Sequence, residues 1–308
     1  LWFTEPKASS LEAIFSSIMS GHLDTVAPEI ANAQQGCVYN FVQAAITIYR
    51  RVCDKMRPTP EKSHYTFNLR DASKVVQGIL MMTRKSIFNL PSGSKSDTPV
   101  DLETGFNRLF RGWLHEHMRV YADRFTDQQD LIWFCDLLRE TALSNFGGDA
   151  KFMEWEDAVG SVPAEQKTAS YLSGISFANL TGSDDVGEYI EYDFRTPEHV
   201  HSIGSFLQTF MDDYNTTNAT SVAMDLVFFR DAVSHICRLS RILLQPRGNA
   251  LLVGVGGSGR QSLTRLATYM AGAVLRQIEI SRTYGPDEWR EDIKKSLMIG
   301  DSETDANA

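Results

Sequence analysis

The most constraining stretch of the chain is LLVGVGGSGRQSLTRLA, residues 251–267. An apolar run enters a glycine cluster and leaves as an amphipathic helix. Glycines let the backbone wrap so that several N–H groups point inward, and a new helix offers its unsatisfied N–H groups and positive dipole end to the same point. That combination is an anion cradle, and its spacing follows the phosphate-loop pattern G-x-x-x-x-G-K-[ST]. Gly254 and Gly259 stand at the pattern's two glycines, with Gly256 and Gly257 between them. Arg260 stands at the lysine position and Gln261 at the Ser/Thr position, with Ser262 one residue late. Arginine keeps the charge and can donate a bidentate fork to phosphate, but it is planar and bulkier than lysine. An amide oxygen can ligate Mg²⁺, but from a longer side chain than a hydroxyl. Ser262 is turned by about 100° around the helix from position 261. The expected ligand set for ATP or ADP is therefore Gly254, Val255, Gly256, Gly257, Ser258, Gly259, Arg260, Gln261 and Ser262. Nucleotide binding is expected to persist there, with weakened Mg²⁺ handling and little or no hydrolysis.

Charge and cysteines narrow the remaining classes. A net charge of −9 over 308 residues argues against a polyanion-binding surface across the chain, so no nucleic-acid partner is expected. Cys37, Cys53, Cys135 and Cys237 are widely spaced with no C-x-x-C pair, which points to free thiols and away from a disulfide framework or a zinc site. No apolar run approaches the roughly 18 residues of a membrane span, and no signal peptide opens the sequence, so no membrane partner is expected. The sequence starts at Leu1-Trp2-Phe3 without Met and stops soon after the phosphate-loop helix. A P-loop fold needs further strands after that helix, so an internal piece of a longer chain is the expectation.

Periodicity gives the organisation. Helical spacing runs through 9–56, with Leu11, Ile14, Phe15 and Ile18 in the first helix and Ser9 or Ser10 as its cap. Arg57-Pro58-Thr59-Pro60 breaks the pattern. Asn68 or Asp71 then caps a helix carrying Val75, Val76, Ile79 and Leu80. The aromatic-rich segment 101–145 reads as helix, with Phe106, Phe110, Trp113, Tyr121, Phe125, Trp133 and Phe134. Gly147-Gly148 and Pro163 mark a boundary. Residues 171–194 read as a hairpin or an irregular insert, and 198–214 and 222–244 as helices, the latter with Leu226, Phe229, Val233, Ile236 and Leu243 along one face. A strand over Ala250–Val253 leads into the loop, and a helix over 260–272 leaves it.

The loop and its surroundings resemble a known family. LLVGVGGSGRQSLTRLA is similar to the nucleotide loop of the fourth AAA+ module of axonemal dynein heavy chains, and MDLVFFRDAVSHICRLSRIL (224–243) followed by QPRGNALLVG resembles the segment that leads into it. PTPEKSHYTFNLRDASKVVQGIL (58–80) resembles the small-domain signature of the third module, and WLHEHMRVYADRF (113–125) the stretch that closes it. The resemblance covers nearly all of residues 1–295, and the Arg-Gln variant of the loop resembles axonemal rather than cytoplasmic dyneins. The implied fold is α/β, as partial AAA+ P-loop NTPase modules: a helical lid followed by the start of an α/β large subdomain. Residues 1–57 would end the third module's large subdomain, 58–148 form its lid, and 149–308 begin the fourth module. The implied whole is an ATP-dependent, minus-end-directed microtubule motor of the ciliary or flagellar axoneme, in which the third and fourth modules bind nucleotide and modulate the cycle. Neighbouring AAA+ modules of the same chain, dynein intermediate and light chains, and microtubules (through a part of the parent chain outside this sequence) are the implied partners. Arg70 in NLRD matches a sensor-2-like lid arginine, and Leu226, Val227 and Phe228 would line an adenine pocket.

Other features have plainer readings. Arg70 beside Asp71 could be a surface ion pair. His115 and His117 flank Glu116, but H-E-H is not the i, i+4 histidine spacing of a zinc protease. Trp113 and Trp133 read as core aromatics, and Glu288 and Trp289 as part of a solvated helix. MIGDSETDANA (298–308) departs from the family: GDSETD resembles a phosphatase Mg²⁺ motif, with Asp301 and Asp305 as the acids, yet no D-x-D nucleophile motif accompanies it. No acidic Walker B strand follows the loop. The alternative to a motor segment is a non-motor P-loop protein with a structural or regulatory role. A downstream Walker B strand and a heptad-repeat stalk would distinguish the two.

Overall fold

A computed structural model describes residues 6–34, 36–90, 94, 98–147, 163, 166–180, 189–194, 197–218, 223–245, 247–278 and 280–305. Helices dominate. The first group is α1 (Ala8–Val26), α2 (Pro28–Ala33), α3 (Cys37–Lys55), α4 (Leu69–Ile79), α5 (Arg84–Phe88), α6 (Leu102–Val120), a 3₁₀ turn (Ala122–Arg124), α7 (Gln128–Phe146) and α8 (Lys167–Gly174). A hairpin follows, β1 (Ile175–Ala178) and β2 (Ile190–Asp193), and then α9 (Pro197–Thr217), α10 (Arg230–Leu244), α11 (Arg260–Met270) and α12 (Pro286–Asp305).

Local chemistry sets most of these boundaries. Leu11, Phe15, Met19 and Leu23 recur at four-residue spacing and form the buried stripe of α1. The expected serine cap does not form: the N-cap is Lys7, with no side-chain hydrogen bond, and Ser9 and Ser10 lie inside the helix. Helix α4 starts in a capping box that uses both expected residues. The Asn68 side chain accepts from Arg70 N–H at 2.9 Å, and Asp71 accepts from Asn68 N–H at 2.9 Å. Asp101 and Asp127 are side-chain N-caps of α6 and α7, accepting from Glu103 N–H and Gln129 N–H.

Two cores share the hairpin. The larger one is built by α1 to α8 with the start of β1. Its centre is a cluster of Phe41, Phe106, Phe110, Trp113 and Phe146, with ring centroids 4.7 Å apart for Phe41–Phe146 and 5.0 Å for Phe110–Phe146. Such tilted and edge contacts add to the area term. Helix α6 runs through this core, which fits its burial on nearly every side, and Trp113 is fully buried as the sequence implies. Trp133 only packs partly against it, with the Lys55 ammonium over its ring. The second core joins Ala178, Leu180 and Phe194 around the hairpin to Ile203, Leu207 and Met211 of α9, Val233, Ile236 and Cys237 of α10, and Leu263, Leu266 and Ala267 of α11. The hairpin is antiparallel, with Ile175 opposite Asp193 and Ala178 opposite Ile190. None of the four cysteines forms a disulfide.

Three expectations need correction. Residues 248–255 form no strand: they run without ladder pairing, and Leu251 and Val253 are 87% and 85% exposed. A strand exists only beside a partner that takes its N–H and C=O groups. Among the described residues the two strands present pair with each other. Second, the helix expected over 222–244 starts only at Arg230. Its buried face is Ala232, Val233, Ile236, Cys237, Leu239, Ser240 and Arg241, whereas Phe229 and Leu243 are exposed. Third, the phosphate-loop helix ends at Met270. The boundary expected around 144–163 lies mostly outside the described residues, and the side chains of Asp301 and Asp305 lie outside them too.

Candidate functional site

The loop between residue 253 and α11 turns on two glycines in the left-handed region, Gly257 (φ 79°) and Gly259 (φ 74°). A side chain there would strain the backbone, so the sequence pattern has a direct conformational cause. Gly259 is the N-cap of α11 and provides no side-chain cap. The first-turn N–H groups of Arg260, Gln261 and Ser262 have no intrahelical acceptor by the geometry of a helix start, so they are free to face an anion. No Cβ clash occurs at Gly256, Gly257 or Gly259, which leaves open space on the loop's outer side. At Gly254 the nearest atoms are the Ser258 hydroxyl oxygen and the Arg260 side chain. Helix α11 itself is anchored from below, where Leu263, Leu266 and Ala267 are buried against α10.

Arg260 does something the motif does not anticipate. Its guanidinium turns back over the loop and donates to the Val255 carbonyl at 3.1 Å and to the Leu252 carbonyl at 3.5 Å. The cation thus holds the apolar approach and the glycine turn together, and it lies beside the same backbone that would wrap a phosphate. Gln261 is exposed and Ser262 half-buried. For Mg²⁺ these two side chains are the only loop donors other than Ser258, and none is a carboxylate. Among the described residues no group of three His, Cys, Asp or Glu side chains stands where it could hold a metal ion. The donors present suit an anion and do not suit a tightly held cation.

The remaining sequence-predicted residues lie on other elements. Leu226 packs partly against the second core, and Val227 is 79% exposed on the extended approach to α10. Arg70 lies exposed in the first turn of α4. It makes no ion pair with Asp71, because Asp71 is buried and paired with Arg124. The loop residues 254–262 form one turn at the start of α11, Leu226 packs against the core that also holds Leu263, Leu266 and Ala267 of that helix, Val227 is exposed, and Arg70 is exposed on α4.

A second polar constellation was hidden in the H-E-H stretch. Glu116 is fully buried on α6 and takes a two-pronged hydrogen bond from Arg241 of α10, whose Nε lies 3.1 Å from Oε1. The Tyr189 hydroxyl donates to the same Oε1 at 2.5 Å. Burial alone would lower the Arg241 basicity, but the adjacent carboxylate outweighs it and raises it. Seven residues on, in the 3₁₀ turn after α6, Asp123 bridges Arg119 at 2.9 Å and Arg238 at 3.3 Å. Burial brings Arg119 down to about 10, against the pull of Asp123. The two histidines point elsewhere. His115 Nδ1 meets the Ile175 carbonyl at 3.2 Å and His117 Nδ1 the Trp113 carbonyl at 2.8 Å. Burial keeps both rings neutral, with His117 lowered to about 4. A metal at this stretch is therefore not supported. The available sequence signal for the ion pair was an acid between two histidines inside a helix whose other neighbours include Trp113, Leu114, Met118 and Val120.

Comparison with known proteins bears on the two halves separately. The family model described as "Dynein heavy chain, ATPase lid domain" matches residues 22–131, which hold α4, α6 and Glu116. The one described as "P-loop containing dynein motor region D4" matches residues 224–304, which hold α10, the glycine loop and α11. The chain belongs to the dynein heavy chain family. Human dynein axonemal heavy chain 1 is 37% identical over 97% of the chain, the mouse protein of that name 40% identical over 84%, and human dynein axonemal heavy chain 6 37% identical over 94%. The chain spans only 5–6% of the length of these relatives. The dynein lid helices and the dynein P-loop region therefore meet within this chain, and the Glu116–Arg241 pair lies on their contact.

Proposed function

We propose that this segment supplies a nucleotide-binding site of a dynein motor, in which the loop 254–262 holds the phosphates of ATP or ADP with little or no hydrolysis. The observation that carries the reading is the glycine turn, left-handed at Gly257 and Gly259, opening onto the uncapped start of α11. Backbone N–H groups and the helix dipole supply the attraction, and Arg260 supplies the charge. Gln261 in place of a hydroxyl leaves the metal of a Mg–nucleotide held mainly by the nucleotide itself, which disfavours turnover at this loop. On this reading residues to about 148 belong to the third AAA+ module, with 58–148 as its lid, and 149–308 begin the fourth. The parent protein is a motor of the ciliary or flagellar axoneme. It works along microtubules with its intermediate and light chains, and this segment modulates its cycle. Arg70 would serve the third module's nucleotide, and Leu226 and Val227 would approach the adenine at the fourth.

The test is equilibrium binding of a fluorescent ADP analogue to the intact heavy chain with and without Arg260→Ala. Loss of the cation next to the phosphates is expected to weaken binding at this loop by about tenfold or more. Affinity unchanged in the variant would overturn Arg260 as a phosphate ligand.

A further inference from the structure

The lid region and the P-loop region could have met through an apolar surface alone. Instead, a charged group is buried at the contact, and four separate segments are shaped around it. Glu116 comes from α6, Arg241 from α10 and Tyr189 from the residue before β2. Gly78 of α4 is the fourth member. A Cβ built there would fall inside the carboxylate of Glu116, so the helix carries glycine where any other residue would evict the acid. The Tyr189 backbone is itself tied down, since its carbonyl accepts from the Ser86 hydroxyl of α5.

Geometry makes this contact more informative than ordinary packing. Apolar surfaces slide with little change in energy, whereas a two-pronged carboxylate–guanidinium contact is lost by a displacement of about 1 Å. Once lost, it leaves a buried charge unpaired. The second contact, Asp123 with Arg119 and Arg238, lies in the 3₁₀ turn that follows α6, seven residues after Glu116, and meets α10 three residues before Arg241. Two contacts fix both the position and the direction of one helix on the other. Helix α10 in turn packs on α11, the helix that opens at the phosphate loop.

We propose that Glu116, Arg241 and Tyr189 form a register pin. It fixes α10, and with it the phosphate-loop helix α11, at one position on α6, so that the lid helices and the loop unit open as one cooperative body. Glu116 and Arg241 are positioning residues in this account, and the proposal does not depend on nucleotide being bound at the loop.

Hydrogen exchange read by mass spectrometry on the intact heavy chain tests it. In the unmodified chain, the amides of 102–120, 230–244 and 260–270 are expected to share one opening equilibrium. In Glu116→Gln, exchange in 230–244 and 260–270 should quicken by about tenfold or more while 128–146 in α7 is unchanged. Tyr189→Phe removes one donor and keeps the ion pair, so it should show the same pattern at about two- to fivefold, even if the glutamine variant folds poorly. The double replacement Glu116→Met with Arg241→Met restores apolar volume without directional bonds. It should recover protection within 102–120 yet leave 230–270 faster than in the unmodified chain. Exchange of 230–270 within twofold of the unmodified chain in Tyr189→Phe and in Glu116→Gln would overturn the pin. So would full recovery of common opening in the double methionine variant, because the pair would then be a filler of the interface.

Discussion

Replacing Gly78 by alanine sets two known effects against each other at one site. Gly78 lies inside α4, one residue before its end, and is buried. On propensity alone, alanine in a helix stabilises by up to about 1 kcal/mol relative to glycine. In this fold the added methyl would occupy the space of the Glu116 carboxylate. The acid must then leave Arg241 and Tyr189, and breaking a buried pair by displacing one partner costs about 3–5 kcal/mol. The net expectation is a loss of about 2–4 kcal/mol, opposite in sign to the propensity rule. Urea unfolding followed by tryptophan fluorescence, with Trp113 as a buried reporter, reads the shift as a lower midpoint at constant slope. The same substitution in a Glu116→Ala background removes the collision. There Gly78→Ala should become neutral or stabilising by up to about 1 kcal/mol, giving a coupling of about 3–5 kcal/mol between two residues 38 positions apart. A neutral or stabilising effect in the unmodified background would refute the argument. An equal loss in both backgrounds would show that the methyl collides with something other than the carboxylate.

Further outcomes follow from the same core. His117 is buried and neutral with its basicity lowered to about 4, against 6.5 for a free imidazole. Below pH 6.5 the unfolded chain takes up a proton that the folded chain refuses. Stability attributable to this ring is therefore full above pH 6.5 and falls by about 1.4 kcal/mol per unit down to pH 4, roughly 3 kcal/mol in all. Urea midpoints at pH 7 and pH 4.5, compared between the unmodified chain and His117→Gln, should show a smaller acid loss in the variant. Asp71 both completes the α4 capping box and neutralises Arg124. Asp71→Ala should cost about 2–3 kcal/mol in the same assay, and a loss under 0.5 kcal/mol would deny it both roles.

The phosphate loop was legible because its code is local. Glycine at 257 and 259 is demanded by positive φ, and the helix after it follows from apolar residues at helical spacing. The start of α4 at Asn68 and Asp71 was legible for the same reason, whereas 171–194 was open between a hairpin and an irregular insert until the pairing of β1 with β2 decided it. Expectations that leaned on distant partners fared differently. The apolar run Ala250–Val253 has strand character but lacks, among the described residues, a neighbour to pair with. Leu226 and Phe229 carry helical spacing, yet the helix starts beyond them. Arg70 and Asp71 are adjacent in sequence, but the acid is taken by Arg124, more than fifty residues away.

By itself the sequence determined where glycines and a helix start coincide, the arrangement in which backbone N–H groups converge. It also carried enough of the lid and loop patterns to be matched to dynein heavy chains. Only the tertiary structure decided what Glu116 is for. In sequence it is one acid between two histidines, and it pairs with an arginine 125 residues later, across a space left open by Gly78. A carboxylate can be buried only where a partner and a cavity meet it, and both come from other segments of the chain.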